Sequence, residues 1–184
     1  MEKKYSTQKL AKMGMMTAIA VVLGFVKFPI IPTVSFLTYD FADIPILITS
    51  FAYGPLAGCI ILTIVSFIQA FLLGGDGIYG FVMHMLASGA FIIIAGNMYE
   101  AGKSKQRAIS AMICSTIAMI MVMALANYFI TPFYMGTADT YDQMQEMVSS
   151  LMVFICLFNL IKGAANSVIT FFVYKRISPF LHKL

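Results

Sequence analysis

Residues 147–174 read MVSSLMVFICLFNLIKGAANSVITFFVY, an apolar run with one charge, Lys162, and no acidic residue. A run of this length and polarity predicts a membrane-spanning helix, since about 20 apolar residues cross the hydrocarbon core of a bilayer. Lys162 lies more than ten residues from either end of the run. At ~1.5 Å per helical residue it is at least ~15 Å from the nearest interface, farther than a lysine stem snorkels. A charge at that depth costs about 3 kcal/mol even on the lenient insertion scale. It therefore needs a polar partner, a water-lined cavity or a bound molecule.

The rest of the chain agrees with a membrane assignment. Of 184 residues, 60% are hydrophobic and 11% charged, against about 25% charged in soluble domains, and mean hydropathy is +0.89. Hydropathy and helix breakers divide the chain into six spans, at about 10–28, 41–53, 56–73, 78–98, 108–133 and 147–174. Together they form one transmembrane domain covering residues 1–184, an all-α six-helix bundle in the cell membrane. Segment 41–53 is too short for an upright span; it predicts a short helix packed inside the bundle or a re-entrant element. The connector 136–146 is polar. The first apolar run merges into a full span, so a cleavable signal peptide is not expected.

Charge placement orients the bundle. Lys3, Lys4, Lys9, Lys12, Lys103, Lys105, Arg107, Lys175, Arg176 and Lys183 are ten of the twelve basic residues, and all fall on one side of a six-span arrangement. By the positive-inside rule that side is cytoplasmic, with both termini on it. Asp40, Asp43, Asp76, Asp139, Asp142 and Glu146 then fall on the outer side. The basic balance thus reflects loop asymmetry, and no basic face interleaved with aromatics points to nucleic acid. Cys59, Cys114 and Cys156 lie in apolar stretches without metal-ligand spacing and read as small buried hydrophobes. Gly102-Lys103-Ser104 lacks the upstream glycine of a phosphate loop, as Asn97 stands there.

Polar residues within the spans are the candidates for function. Asn159, Lys162 and Asn166 share one helical face at i, i+3 and i+7, flanked by Gly163, Ala164 and Ala165, which permit close approach of a helix or ligand. The competing reading is that these polar groups bond neighbouring helices. Asn127, beside Tyr128 and Phe129, offers a donor and an acceptor next to stacking surfaces, or else it is an amide within an interfacial aromatic belt. Pro132 is expected to close that helix. The loop from Pro29 to Asp43 carries Phe36, Thr38, Tyr39 and Phe41 and is too apolar for a solvated connector; it suits a lid. Asp43, just ahead of Ile44-Pro45, is expected to cap the second helix. His84 has no carboxylate on its own helix face and is expected to bond within its helix. Gly14 and Ala18 make a small-xxx-small pair on the first helix that admits a close helix partner.

The stretches Phe36-Leu37-Thr38-Tyr39-Asp40-Phe41-Ala42-Asp43-Ile44-Pro45, Phe51-Ala52-Tyr53-Gly54-Pro55-Leu56-Ala57-Gly58, Asn127-Tyr128-Phe129 and Phe158-Asn159-Leu160-Ile161-Lys162-Gly163 resemble the substrate-binding S components of energy-coupling-factor (ECF) vitamin transporters, specifically the riboflavin-specific members. The resemblance covers nearly the whole chain, and Ser66 through Gly80 departs from it most. It implies a six-helix bundle with a vitamin pocket closed by the first loop. It further implies riboflavin as transported ligand with no cofactor, Asn127, Asn159 and Lys162 bonding the flavin ring, and Thr38 and Tyr39 contributing from the loop. Gly14 and Ala18 match the contact with the transmembrane coupling subunit, which works with two ABC-type ATPase subunits. The alternatives are an S component for another vitamin or heterocycle, or a small membrane enzyme. No paired carboxylates or nucleophile–base pair favour an enzyme.

Overall fold

A computed structural model describes residues 7–135 and 140–182; Lys3, Lys4, Asp139 and Lys183, used in the charge count, lie outside them. The chain folds as α1 (Thr7–Leu23), β1 (Phe28–Pro29), a 3-10 turn (Pro32–Val34), β2 (Thr38–Tyr39), α2 (Asp43–Tyr53), α3 (Pro55–Phe71), α4 (Gly77–Glu100), α5 (Lys105–Tyr134), α6 (Tyr141–Ser150) and α7 (Met152–His182). Three helices, α4, α5 and α7, are long and apolar enough to cross a membrane on length and composition; α2 and α3 are shorter apolar helices.

Breakers set most boundaries. Gly54, at φ 92°, turns the chain between α2 and α3 in a conformation that side chains with a Cβ rarely adopt, and Pro55 starts α3, where its missing N–H is harmless. The first helix stops at Leu23, five residues short of the expected Phe28. Phe28 precedes Pro29, which favours extended backbone, and the two residues pair antiparallel with Tyr39 and Thr38. The lid loop is thus a small hairpin flap. Pro132 does not close α5, which runs on to Tyr134; so near the helix end little of the ladder remains to be disrupted. The polar connector holds a helix of its own, α6. Its N-terminus is a capping box in which Thr140 N donates to Gln143 Oε1 and Gln143 N finds the Thr140 side chain. The sixth span accordingly begins at Met152, after a break at Leu151, rather than at Met147.

The short second helix is the centre of the bundle. Every residue from Asp43 to Ala52 is buried, with Ile46, Leu47 and Ile48 sealed against Ile61 and Leu62 of α3 and Phe91 and Ile92 of α4. Ser50 is gripped from two sides: a Cβ on Gly58 would lie 2.8 Å from its Cβ, and one on Gly96 would strike its hydroxyl. On the other flank Gly163 of α7 lies against α5, where an added Cβ would be 2.7 Å from Thr116 Cγ2. Small residues here set helix spacing, as expected where dispersion rather than water drives packing.

The described ends of the chain meet at one end of the bundle. Lys12 Nζ and Tyr53 Oη both donate to the carbonyl of Leu181, at 3.0 and 2.8 Å. The flap lies at the other end. Gly14 and Ala18 sit on the outward side of α1, with open space around Gly14. The three cysteines are free; Cys59 and Cys156 are half-buried and Cys114 is exposed. They belong to the outer surface of the bundle, not to its core.

Candidate functional site

Lys162 has a partner, and it comes from α2. Its Nζ lies 3.1 Å from Asp43 Oδ2, with the two residues 7% and 2% exposed. Asp43 therefore does not cap α2, whose N-cap is Ala42 with no side-chain bond. The local turn is served instead by Asp40, whose Oδ1 accepts from Ala42 N at 2.8 Å. Nor does Asp43 belong with the outer-side carboxylates of the charge count; it is inside the bundle. A buried cation and a buried carboxylate each remove the desolvation problem of the other, provided their remaining valences are met.

Those of Asp43 are met by a chain of polar groups across five elements. Asn166 Nδ2 donates to Asp43 Oδ2 at 3.1 Å, and Tyr39 Oη of the flap donates to Asn166 Oδ1 at 3.0 Å. On the other side His84 Nε2 of α4 lies 3.1 Å from Asp43 Oδ1, and its Nδ1 is 3.0 Å from Ser66 Oγ of α3. His84 is thus bonded between helices, not within its own; the carboxylate absent from its face is supplied by α2. Burial, reinforced by the charge of Asp43, pushes the Tyr39 phenol up to about 12. It stays protonated, as a donor to Asn166 requires.

This network forms the floor of a cavity of about 140 Å³ beneath the flap. Asn159, Lys162 and Phe158 of α7 border it on one side; His84 and Tyr79 of α4, with Ser66 and Gln69 of α3, border the other; Phe36, Leu37, Thr38 and Asp40 roof it. Of the sequence-predicted site residues, Thr38, Asn159 and Lys162 reach this cavity. Tyr39 and Asn127 lie one layer behind its wall. Asn127 is fully buried, donates to Met123 O at 2.8 Å and accepts from Thr131 Oγ1 at 3.0 Å; that hydroxyl is 2.9 Å from the Tyr79 Oη. Asn159 Nδ2 donates to Ile155 O of its own helix. Gly14 and Ala18 are remote, on the outer face of α1.

The sequence reading does not single out Ser66, Gln69 or the link from Asp43 to His84. One signal was available: a carboxylate two residues before a proline, in apolar surroundings, is as much an intramembrane charge as Lys162. Among the described residues no three His, Cys, Asp or Glu side chains gather as a metal site. Two α7 side chains, Lys162 and Asn159, border the cavity and the flap roofs it, an arrangement that suits enclosing a small polar molecule.

Fold and site together define an α-helical membrane protein with a polar cavity beneath a flap. The family model described as "ECF transporter, substrate-specific component" matches residues 8–174, and the chain belongs to that family of transporter components, which are not enzymes. It is 32% identical to the riboflavin transporter RibU of Staphylococcus aureus (strain TCH60), over 96% of this chain and 94% of that protein. It is 27% identical to the riboflavin transporter FmnP of Bacillus subtilis (strain 168), over 96% and 95%. A solved structure described as "Structure and mechanism of the S component of a bacterial ECF transporter" superposes with a TM-score of 0.80 at 32% identity, covering 95% of this chain and 98% of the other.

Proposed function

We propose that this chain is a riboflavin-binding subunit that takes the vitamin up across the cell membrane together with an ECF energy-coupling module. The observation that carries the reading is the cavity bordered by Lys162 and Asn159 beneath the flap, in a chain alignable almost end to end with proteins named riboflavin transporters. A flavin's pyrimidine edge presents carbonyls and an imide N–H. Lys162 donates to a carbonyl or ring nitrogen, Asn159 meets the edge with its amide, and Thr38 adds a hydroxyl from the flap. Asn127 and Tyr39 support the wall from behind, through Thr131–Tyr79 and through Asn166.

The cavity of about 140 Å³ is smaller than the roughly 300–1,000 Å³ of sites that enclose drug-sized ligands. Loading therefore requires the flap to lift or the walls to part. In the membrane the chain crosses six times, α2 included, with both termini cytoplasmic and the flap outside. The exposed Gly14 and Ala18 face of α1 docks on the transmembrane coupling subunit, and two ABC-type ATPases supply the energy that no nucleotide-binding motif of this chain provides.

The test is direct. The protein purified in detergent should bind riboflavin at submicromolar concentration, read as quenching of flavin fluorescence, and should carry yellow colour when expressed with the vitamin. A colourless protein that leaves micromolar riboflavin fully fluorescent would sink the assignment.

A further inference from the structure

Toward the end of the bundle where Lys12 and Leu181 meet, α5 and α7 part from each other. They touch where Gly163 lies against Thr116. Within a turn of that contact a groove of about 450 Å³ opens between them, walled by Ile113 and Ile117 of α5 and by Ala164 and Val168 of α7. Met112, Phe171 and Phe172 line this groove and also a second hollow of about 520 Å³, so the two are continuous. The character of the wall changes between them. The hollow is bordered by Tyr99 and Tyr174, whose ring centroids are 5.9 Å apart edge to face, and by Lys105 and Lys175. Lys105 Nζ stands 5.7 Å from the centroid of the Phe171 ring, over its face. Both lysines are exposed, neither forms an ion pair among the described residues, and no acidic residue lines the hollow.

We propose that this continuous groove binds one phospholipid with an anionic headgroup, its phosphate between Lys105 and Lys175 and an acyl chain between α5 and α7. The dimensions suit a lipid rather than a partner helix. Ala164 to Lys175 and Lys105 to Thr116 are each eleven residues, ~16 Å of helix, about half of a hydrocarbon core roughly 30 Å thick. A transmembrane partner helix needs a face that runs through both leaflets. This groove ends within a turn of the Gly163–Thr116 contact, one leaflet deep. The chemistry is ordered along the same axis. Aliphatic side chains stand at the depth of the acyl chains, tyrosines at the level where such rings favour the interface, and cations beyond them. By the positive-inside rule that end is cytoplasmic, and the cytoplasmic leaflet carries the anionic lipids that attract lysines. An uncharged lipid has no use for the two cations, and a small soluble anion has none for the groove.

The experiment titrates the full chain in detergent with phosphatidylglycerol and with phosphatidylcholine of the same acyl chains, counting bound lipids by native mass spectrometry. Wild type should take up one phosphatidylglycerol at least about tenfold more tightly than phosphatidylcholine. The double variant Lys105→Gln with Lys175→Gln should weaken phosphatidylglycerol about thirtyfold, the worth of two lysines at an anionic surface, and leave phosphatidylcholine within about twofold. Lys103→Gln with Arg176→Gln removes the same charge from exposed positions outside the hollow and should leave both lipids within about twofold. Ala164→Phe fills the groove and should weaken both lipids, with Val168→Trp in reserve if that variant does not fold. If neither folds, the two charge variants decide alone. Equal affinity of wild type for the two lipids, equal losses from the two charge variants, or unchanged lipid binding with the groove filled overturns the proposal. So does displacement of phosphatidylglycerol by an equal concentration of inorganic phosphate, which would make this a site for a free anion. Lipid binding that survives Ala164→Phe while copurification with the coupling subunit is lost would give the groove to that partner instead. None of these readouts uses riboflavin, so their outcome is separate from the flavin reading.

Discussion

The two sides of the cavity are built on opposite principles. On the Lys162 side the polar groups are tied to one another: Lys162, Asn166 and His84 converge on Asp43, with Tyr39 and Ser66 closing the chain at its ends. On the Gln69 side an amide nitrogen is buried with nothing to bond. A saturated network within a low-dielectric interior is stiff, and it punishes the loss of any member. The difference separates a cross-braced wall from a loosely bonded one, and the groups proposed to meet the ligand, Lys162 and Asn159, border the cavity from the braced wall.

The largest effect is expected where that contrast is broken at its hub. Asp43→Ala leaves Lys162 buried without a counter-charge, a change that costs about 3–5 kcal/mol. The detergent-solubilised protein should melt far below wild type, and riboflavin binding should vanish with the fold. The double variant Asp43→Leu with Lys162→Met should recover much of that stability, since replacing both partners by apolar groups is often neutral, yet remain unable to bind. A double variant that binds normally would remove Lys162 from the site. The single change Lys162→Met strips Asp43 of its cation and should also lower the melting temperature; in the protein that remains folded, riboflavin affinity should fall about a hundredfold, the range of one charged hydrogen bond, as titrated by fluorescence quenching.

Smaller effects should come from behind the wall. Tyr39→Phe deletes the flap's bond to Asn166, and Asn127→Ala unties Thr131 and Tyr79 from α5. Each should weaken affinity by about three- to tenfold, in line with one neutral hydrogen bond. A loss from Asn127→Ala as large as that from Lys162→Met would place the amide in contact with the ligand and redraw the cavity. The smallest effect on binding is expected at the outer face of α1. Bulky residues at both Gly14 and Ala18 should leave riboflavin affinity within about twofold, since the site is remote, while uptake with the coupling module present is lost. Normal uptake by that variant would reject the docking face.

Much of this fold is legible in the sequence because membrane helices announce themselves one at a time. Gly54-Pro55 and the turn at Gly74–Gly77 mark helix boundaries through local backbone preference, and the observed helices follow them closely. The depth of Lys162 is likewise a local deduction from its distance to the ends of an apolar run. Its partner is not. Asp43 carries a strong local signal for a helix start, which competes with the tertiary role that prevails once α7 packs beside α2. His84 is misread for the same reason, because its carboxylate arrives from another helix. The capping box at Thr140 and Gln143 is a local signal that was present, but the polarity around it reads as a connector. Gln69 is one more polar residue on a short apolar helix until its amide is seen to lack a partner.

The location of Asp43 also bears on how the chain is made. A carboxylate on an eleven-residue helix is threaded into the membrane among the first segments to leave the ribosome, but Asn166, one of its partners, is synthesised 123 residues later. His84 arrives in between and is the earliest group able to shelter the charge. Until the last helix arrives, the centre of the bundle holds an acid without its cation, Lys162.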